Sequence, residues 1–147
     1  MDFVIKKFEA LTPAELYAIL RLRSEVFVVE QNCVFLDMDN KDQQCWHLMA
    51  WEKDRLVAYT RLVPPGISYT EASIGRVVSS PSVRQQGAGK IIMQKSIEEI
   101  YKLFEQGAIR IGAQLYLRSF YESFGFIQCS DIYDEDGIDH IEMLREL

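Results

Sequence analysis

The order of apolar and polar positions along the chain predicts a sequence of strands and helices. Phe3 to Phe8 and Trp46 to Glu52 are rich in aromatic and β-branched residues, the pattern of strands. Between them, Thr12-Pro13-Ala14-Glu15 marks a helix start. Threonine caps, proline takes the first helical position and glutamate completes a capping box. Leu16, Ile19, Leu20, Val26 and Phe27 then fall on one helical face, and the polar run Asp37 to Gln44 reads as a loop. Lys53-Asp54 separates Glu52 from a second apolar run, Leu56 to Leu62, which predicts a hairpin that Pro64-Pro65-Gly66 stops. A strand over Ala72 to Ser79 is followed by a helix over Gly87 to Glu105. That helix has Met93, Ile97, Ile100, Tyr101 and Phe104 on one side and Lys95, Glu98, Glu99 and Lys102 on the other. Ile109 to Ala113 has the length of a buried strand, and Leu117, Phe120, Tyr121 and Phe124 form a second helical stripe that Gly125 ends. Two last strands, Phe126 to Tyr133 and Ile138 to Leu144, flank Asp136-Gly137, a favoured hairpin turn.

The expected architecture is therefore an α/β single domain over 1–147. It has a mixed, mostly antiparallel central sheet, a parallel strand–helix–strand core with a right-handed crossover, and helices on both faces. A length of 147 residues suits one hydrophobic core rather than two.

Charge narrows the partners. Sixteen Lys and Arg against twenty-two Asp and Glu give a net charge of −6, which argues against nucleic acid as the main partner because phosphate binding needs a cationic footprint. No apolar run approaches the roughly 20 residues needed to cross a bilayer, and the start Met1-Asp2-Phe3-Val4 lacks the pattern of a signal peptide. The expectation is a cytoplasmic protein without a membrane partner. Cys33, Cys45 and Cys129 are an odd count at wide spacing, and the Cys45/His47 pair has no second pair to complete a zinc site, so no metal is expected. Asp37-Met38-Asp39 is not a calcium loop, since Asp42 and Leu48 stand where glycine and glutamate are required.

The segment that carries chemistry is Arg84-Gln85-Gln86-Gly87-Ala88-Gly89-Lys90, between a strand and an amphipathic helix. The first N–H groups of a helix have no internal partner and carry the positive end of its dipole, so an anionic phosphate fits there. Arg84 and Lys90 add positive charge in an otherwise acidic protein. The P-loop pattern fails at Arg84 and Ile91, and the dinucleotide fingerprint fails at Ile92. Glycines that simply turn a strand into a helix are the competing reading.

The pattern Arg84-x-x-Gly87-x-Gly89 after a strand resembles the pyrophosphate loop of the GCN5-related N-acetyltransferases (GNAT family). Phe120-Tyr121-Glu122-Ser123-Phe124-Gly125-Phe126 resembles that family's second signature, and the order of elements matches along nearly the whole chain. Val26-Phe27-Val28-Val29-Glu30-Gln31, with Asp37, Asp39 and His47, Gly112-Ala113-Gln114 and Tyr133 to Ile138, is similar to the ElaA-like branch.

The resemblance implies acetyl-CoA as cosubstrate and transfer of its acetyl group to a primary amine, of a small molecule or an exposed peptide, by direct attack. It places the pyrophosphate on the backbone of Gln85, Gln86, Gly87, Ala88 and Gly89. The pantetheine arm then lies beside Val77, Val78 and Ser79, where two central parallel strands splay apart, and the Val78 N–H polarises the thioester carbonyl. Many relatives carry Asn where this chain has Gln114, a candidate contact to the pantetheine arm. Tyr121 is the candidate general acid, with one more stripe aromatic as its alternative. Glu30 and His47 are candidate bases, against a solvated charge and a structural histidine respectively. Arg23, Arg61 and Arg76, on regular elements, need partners such as Asp37, Asp39 and Glu30. His140, after the final turn, is a candidate for the border of the acceptor site and is not counted among the site residues. A non-catalytic acyl-CoA sensor with the same fold is the alternative function. The acceptor itself and the oligomeric state are not specified by the sequence.

Overall fold

The computed structural model describes residues 1–105 and 107–146. Strand β1 (Asp2–Lys7) leads through one 3-10 turn to helix α1 (Pro13–Arg23). The Thr12 side chain accepts from the Glu15 N–H at 3.1 Å and Glu15 accepts from the Thr12 N–H at 2.8 Å, the reciprocal box the sequence predicts. The chain then widens into a π-helical turn over Ser24–Glu30, where the sequence predicts a simple continuation of the helix. Strands β2 (Trp46–Glu52) and β3 (Arg55–Val63) form the predicted hairpin, and β4 (Ser73–Ser79) follows.

A 3-10 turn over Pro81–Gln86 enters helix α2 (Ala88–Leu103), then β5 (Ile109–Gln114), the turn Leu115–Leu117 and the short helix α3 (Arg118–Glu122). The last strands are β6 (Ile127–Gln128), β7 (Tyr133–Glu135) and β8 (Ile138–Arg145). Two corrections fall here. The aromatic stripe from Leu117 to Phe124 is split between the Leu115–Leu117 turn and the five residues of α3. The expected strand from Phe126 to Tyr133 is broken into β6 and β7. Ser130 causes the break: its hydroxyl accepts from the Glu142 N–H at 2.8 Å and so takes a place in the ladder that backbone would otherwise fill. The Asp136-Gly137 turn forms as expected, with both residues left-handed (φ 54° and 83°).

Strand order is β1-β2-β3-β4 in one sheet and β5-β8-β6 in a second, with β7 also on β8, and every pairing within a sheet is antiparallel. The sheets are joined by one parallel bridge, Ala72 to Ile109, where the Arg110 N–H donates to the Ala72 carbonyl at 3.0 Å. Beyond that bridge, β4 and β5 have no ladder between them. The mixed sheet is thus opened along its central parallel pair.

Side chains alternate across β2 and β3, so the two faces build separate cores. Leu48, Ala50, Ala58 and Leu62 pack toward α2 with Ile92, Met93, Ile97 and Ile100. Met49 and Tyr59 pack toward α1 with Ile19, Leu22 and Val26. The helices therefore cover opposite faces, as the pattern predicts. A hydroxyl pair fixes α2 on its face: Thr60 and Ser96 lie 2.6 Å apart, fully buried. Among the described residues no helix is long and apolar enough to cross a membrane.

Candidate active site

The opening between β4 and β5 lies directly above the start of α2, because β4 runs through the Pro81–Gln86 turn into that helix. Gly87 takes φ 75° and ψ 21°, a left-handed conformation that a Cβ disfavours. The Ile91 N–H reaches back to the Gly87 carbonyl at 3.1 Å, which leaves the amides of Ala88, Gly89 and Lys90 without intrahelical acceptors. A Cβ built on Gly87 or on Gly89 meets nothing within 4 Å, so the space over these amides is open. Lys90 is exposed and makes no ion pair among the described residues. Gln85 and Gln86 are exposed on the turn beside it. A diphosphate has donors, space and a free cation here.

The edge of β4 supplies the next part. The Ser80 N–H donates to the Val57 carbonyl at 2.7 Å, and the register pairs Ala58 with Ser79 and Tyr59 with Val78. Alternation of an antiparallel ladder then turns the Val78 amide toward β3 and the Ser79 amide toward the opening. This corrects the expectation for Val78: its N–H is directed to the ladder and its side chain is buried in the α1 core. Between Tyr59 and Arg61 the β4 partners skip from Val78 to Gly75, so β4 carries one extra residue, a β-bulge at Arg76-Val77. Arg76 sits there with φ 50°, a conformation rare for a residue with a side chain.

An ion-pair network fixes the bulge. Arg23, fully buried, donates to Asp37 at 2.8 Å and to Asp42 at 2.9 Å. Arg61 pairs with both Asp39 oxygens at 2.8 Å and with Asp42 at 2.9 Å. The Arg76 guanidinium stands 2.8 Å from Asp37 Oδ1 and donates to the Asp37 carbonyl at 2.8 Å. Burial opposes ionisation of Asp39 and Asp42, but the arginine hydrogen bonds prevail and hold both below the usual carboxylate value. Three guanidinium groups therefore meet three carboxylates, as a buried charge requires. The expected arginine network is present, with Asp42 in the place proposed for Glu30.

Glu30 is elsewhere. The π-helical turn carries it to the mouth of the opening, where both its oxygens accept from Arg84 at 2.7 and 2.5 Å. Arg84 also donates to the Ser79 carbonyl at 3.3 Å. The hydrogen bonds from Arg84 hold the Glu30 carboxyl below its ordinary value, which weakens it as a base. The next residue, Gln31, accepts from Gln114 at 3.2 Å, so the end of this turn spans from β4 to β5.

His47 is 1% exposed, with Nδ1 2.6 Å from the Tyr59 hydroxyl and Nε2 2.9 Å from the Asp42 carbonyl. The carbonyl can only accept, so Nε2 carries the proton and Tyr59 donates to Nδ1. Burial keeps the ring neutral, pushing its pKa below the ordinary value. It is a structural histidine, sealed from the opening, and this corrects its expected role as a base. Neighbouring Cys45 is likewise engaged: its thiol donates to the Lys41 carbonyl at 3.1 Å, and burial pushes it up to about 11.

Tyr121 lies on α3, just past the end of β5 where the two strands are apart. Its ring meets Phe120 and Phe126 edge-on, at centroid distances of 5.1 and 6.2 Å. Its hydroxyl has no hydrogen-bond partner among the described residues, and burial, with Tyr116 nearby, pushes it up to about 12. At neutral pH it is a phenol with a free proton to donate.

The architecture of an opened sheet over an unpaired helix start is that of an N-acetyltransferase. Residues 14–147 match the family model described as the Acetyltransferase (GNAT) domain, and the chain belongs to that family. Within it the chain is similar to Protein ElaA of Escherichia coli, 41% identical over 93% of this chain and 91% of the relative. A UPF0039 protein of Schizosaccharomyces pombe is 42% identical over 100% of this chain and 98% of its own length. The solved structure of Escherichia coli ElaA superposes with a TM-score of 0.92 at 38% identity, covering 99% of each chain. That of an acyl-CoA N-acyltransferase from Pseudomonas aeruginosa gives 0.94 at 40% identity, covering 98% of each.

The structure brings Arg84, Gly87 and Glu30 to one opening and seals His47 away from it, while Tyr121 lies on α3 just past the end of β5. Asp42 stands in a stretch that reads as a polar loop, and nothing local shows that two arginines converge on it.

Proposed function

We propose that the protein transfers the acetyl group of acetyl-CoA to a primary amine by direct attack. The observation that carries this reading is the gap between β4 and β5 standing over the unpaired amides of Ala88, Gly89 and Lys90. A diphosphate on those amides directs the pantetheine arm along β4. There the Val77 and Ser79 amides serve its carbonyls as a neighbouring strand would. An open-edge amide on the bulge also suits the negative charge that develops on a thioester oxygen under attack.

The engagement of these residues supports one assignment of the protons. An alkylammonium has a pKa of about 10.4 and must lose a proton before it attacks. Glu30 is engaged by Arg84 and His47 is sealed, so the acceptor gives its proton to solvent on the open face of the second sheet. Tyr121 faces the other end of the reaction. From a phenol at about 12, complete transfer to a thiolate whose acid ionises near 8.5 is uphill by about 5 kcal/mol. Tyr121 therefore acts by donating a hydrogen bond to the charge growing on sulfur, and the thiolate collects its proton after it leaves.

The test is Tyr121→Phe, which keeps the ring packing on Phe120 and Phe126. Release of free thiol from acetyl-CoA with an amine panel should fall about 100-fold or more, the usual scale for losing one hydrogen-bond donor to charge that develops in the transition state. Coenzyme A affinity should stay within about twofold. Undiminished turnover removes Tyr121 from the mechanism. Binding of coenzyme A with no thiol release from any amine would instead favour the sensor reading.

A further inference from the structure

The open face of the second sheet carries a group of side chains that acetyl-CoA does not explain. Along β5, Ile109, Ile111 and Ala113 are buried in the core against α2, so Arg110, Gly112 and Gln114 point to the opposite face. On β8, Glu142 pairs in register with Gly112, and His140 with Gln114. Helix α1 packs on β3 and β4, that is, on the first sheet. Gly112 forms an exposed floor. A Cβ there would come within 3.1 Å of the Tyr69 hydroxyl and 3.2 Å of the Tyr133 hydroxyl. Two phenols, one from the loop after β3 and one from β7, thus converge on the one position of this face that lacks a side chain. Neither hydroxyl has a hydrogen-bond partner among the described residues.

The cup is also negative. Glu142 shares Arg110 with Glu71, at 3.2 Å and 3.0 Å respectively, so one guanidinium serves two carboxylates. Glu135 reaches His140 at 3.2 Å, and the His140 ring stacks on Tyr133 at 5.8 Å. Burial and the nearby Glu142 and Glu135 both disfavour ionisation of the Tyr69 phenol. Burial, Tyr69 and the same two carboxylates do so for Tyr133. Gln114, next on the same face, reaches Gln31 across the mouth, so the cup adjoins the gap where the thioester would lie.

We propose that Tyr69, Tyr133 and Glu135 around Gly112 bind a second cationic group of the acceptor. The preferred acceptor class is then a diamine, or another amine with a distal positive charge. The inference rests on the acetyl-transfer reading and adds what selects the acceptor. An ammonium brings only donors, which the two free hydroxyls and the carboxylate accept, and the missing side chain at position 112 is what lets the two hydroxyls converge. A monoamine whose ammonium loses its proton to attack the thioester leaves these acceptors unpaired.

The experiment is calorimetric titration of 1,4-diaminobutane and of 1-aminobutane into the protein saturated with coenzyme A. The diamine should bind at least about tenfold more tightly. In Tyr133→Phe and in Glu135→Gln that preference should fall below about threefold, with coenzyme A affinity unchanged in both. Equal binding of the two amines, or a preference that survives both substitutions, overturns the inference. If coenzyme A itself gives no heat, the acetyl-transfer reading fails instead, and the same two amines titrated into the free protein still decide the question of the cup.

Discussion

Gly87 is the residue whose replacement separates ligand binding from folding. It holds φ 75° and ψ 21°, and a Cβ there meets no atom within 4 Å. Gly87→Ala therefore meets conformational cost without steric clash. Holding an L-residue in the left-handed region costs about 1–2 kcal/mol. In a chain of this size each kcal/mol moves the melting temperature by about 2–4 °C, so the variant should melt about 2–8 °C lower and remain folded. Relaxation of the strain would rotate the peptide that leads into α2 and misdirect the amides of Ala88 to Lys90. A hydrogen bond to a charged group is worth about 1.5–3 kcal/mol, so loss of one weakens coenzyme A binding about 10- to 150-fold. The assay is calorimetric titration of coenzyme A, with Gly137→Ala as the control. Gly137 has a similar φ of 83° and equally open surroundings, in the turn between β7 and β8. The control should lose comparable stability and keep its affinity. Wild-type affinity in Gly87→Ala, or the same loss in both variants, would refute the placement of the diphosphate on this turn.

Further outcomes test the roles reassigned by the structure. Glu30→Gln frees Arg84 and removes a negative charge beside the diphosphate, so coenzyme A should bind about 2- to 10-fold more tightly at low salt, an advantage that salt screens away. The pair is about 40% exposed on both sides, so stability should change by less than about 1 kcal/mol. A fall in turnover of 100-fold at saturating acetyl-CoA would restore Glu30 as the base. Acid should destabilise the protein in two stages, followed by urea unfolding at a series of pH values. His47 is held neutral below its ordinary 6.5, so the unfolded chain takes up that proton first and stability declines as pH falls beneath about 6.5. Asp39 and Asp42, held below 3.8, keep their contribution above that value and lose it below about pH 4, where the decline should steepen. Stability that is flat from pH 8 to pH 5 would contradict the buried neutral imidazole.

Local signals in the sequence carried most of the fold. Thr12, Pro13 and Glu15 specify the start of α1 because cap, proline and box lie within four residues, and Asp136-Gly137 specifies its turn in two. The α2 stripe is long enough to fix both the helix and its buried face. What escaped depends on partners distant in sequence. The π-helical turn keeps the apolar spacing of a helix, so nothing in Ser24–Glu30 announces that Glu30 is delivered to Arg84. The register of β4 against β3 includes a bulge at Arg76-Val77, and Arg76 is held there by Asp37 and Asp39 reaching across from another loop. His47 near the start of a central strand has the appearance of a catalytic residue. Only the positions of Tyr59 and the Asp42 carbonyl show that both its nitrogens are taken.

Backbone amide hydrogen exchange with and without coenzyme A tests whether the cosubstrate lies in the gap between β4 and β5. Added protection is expected at Val77, Ser79, Ala88, Gly89 and Lys90, with Val78 unchanged because its amide is already in the ladder with β3. Protection confined to other segments, or no change at these five amides under saturating ligand, would contradict that placement.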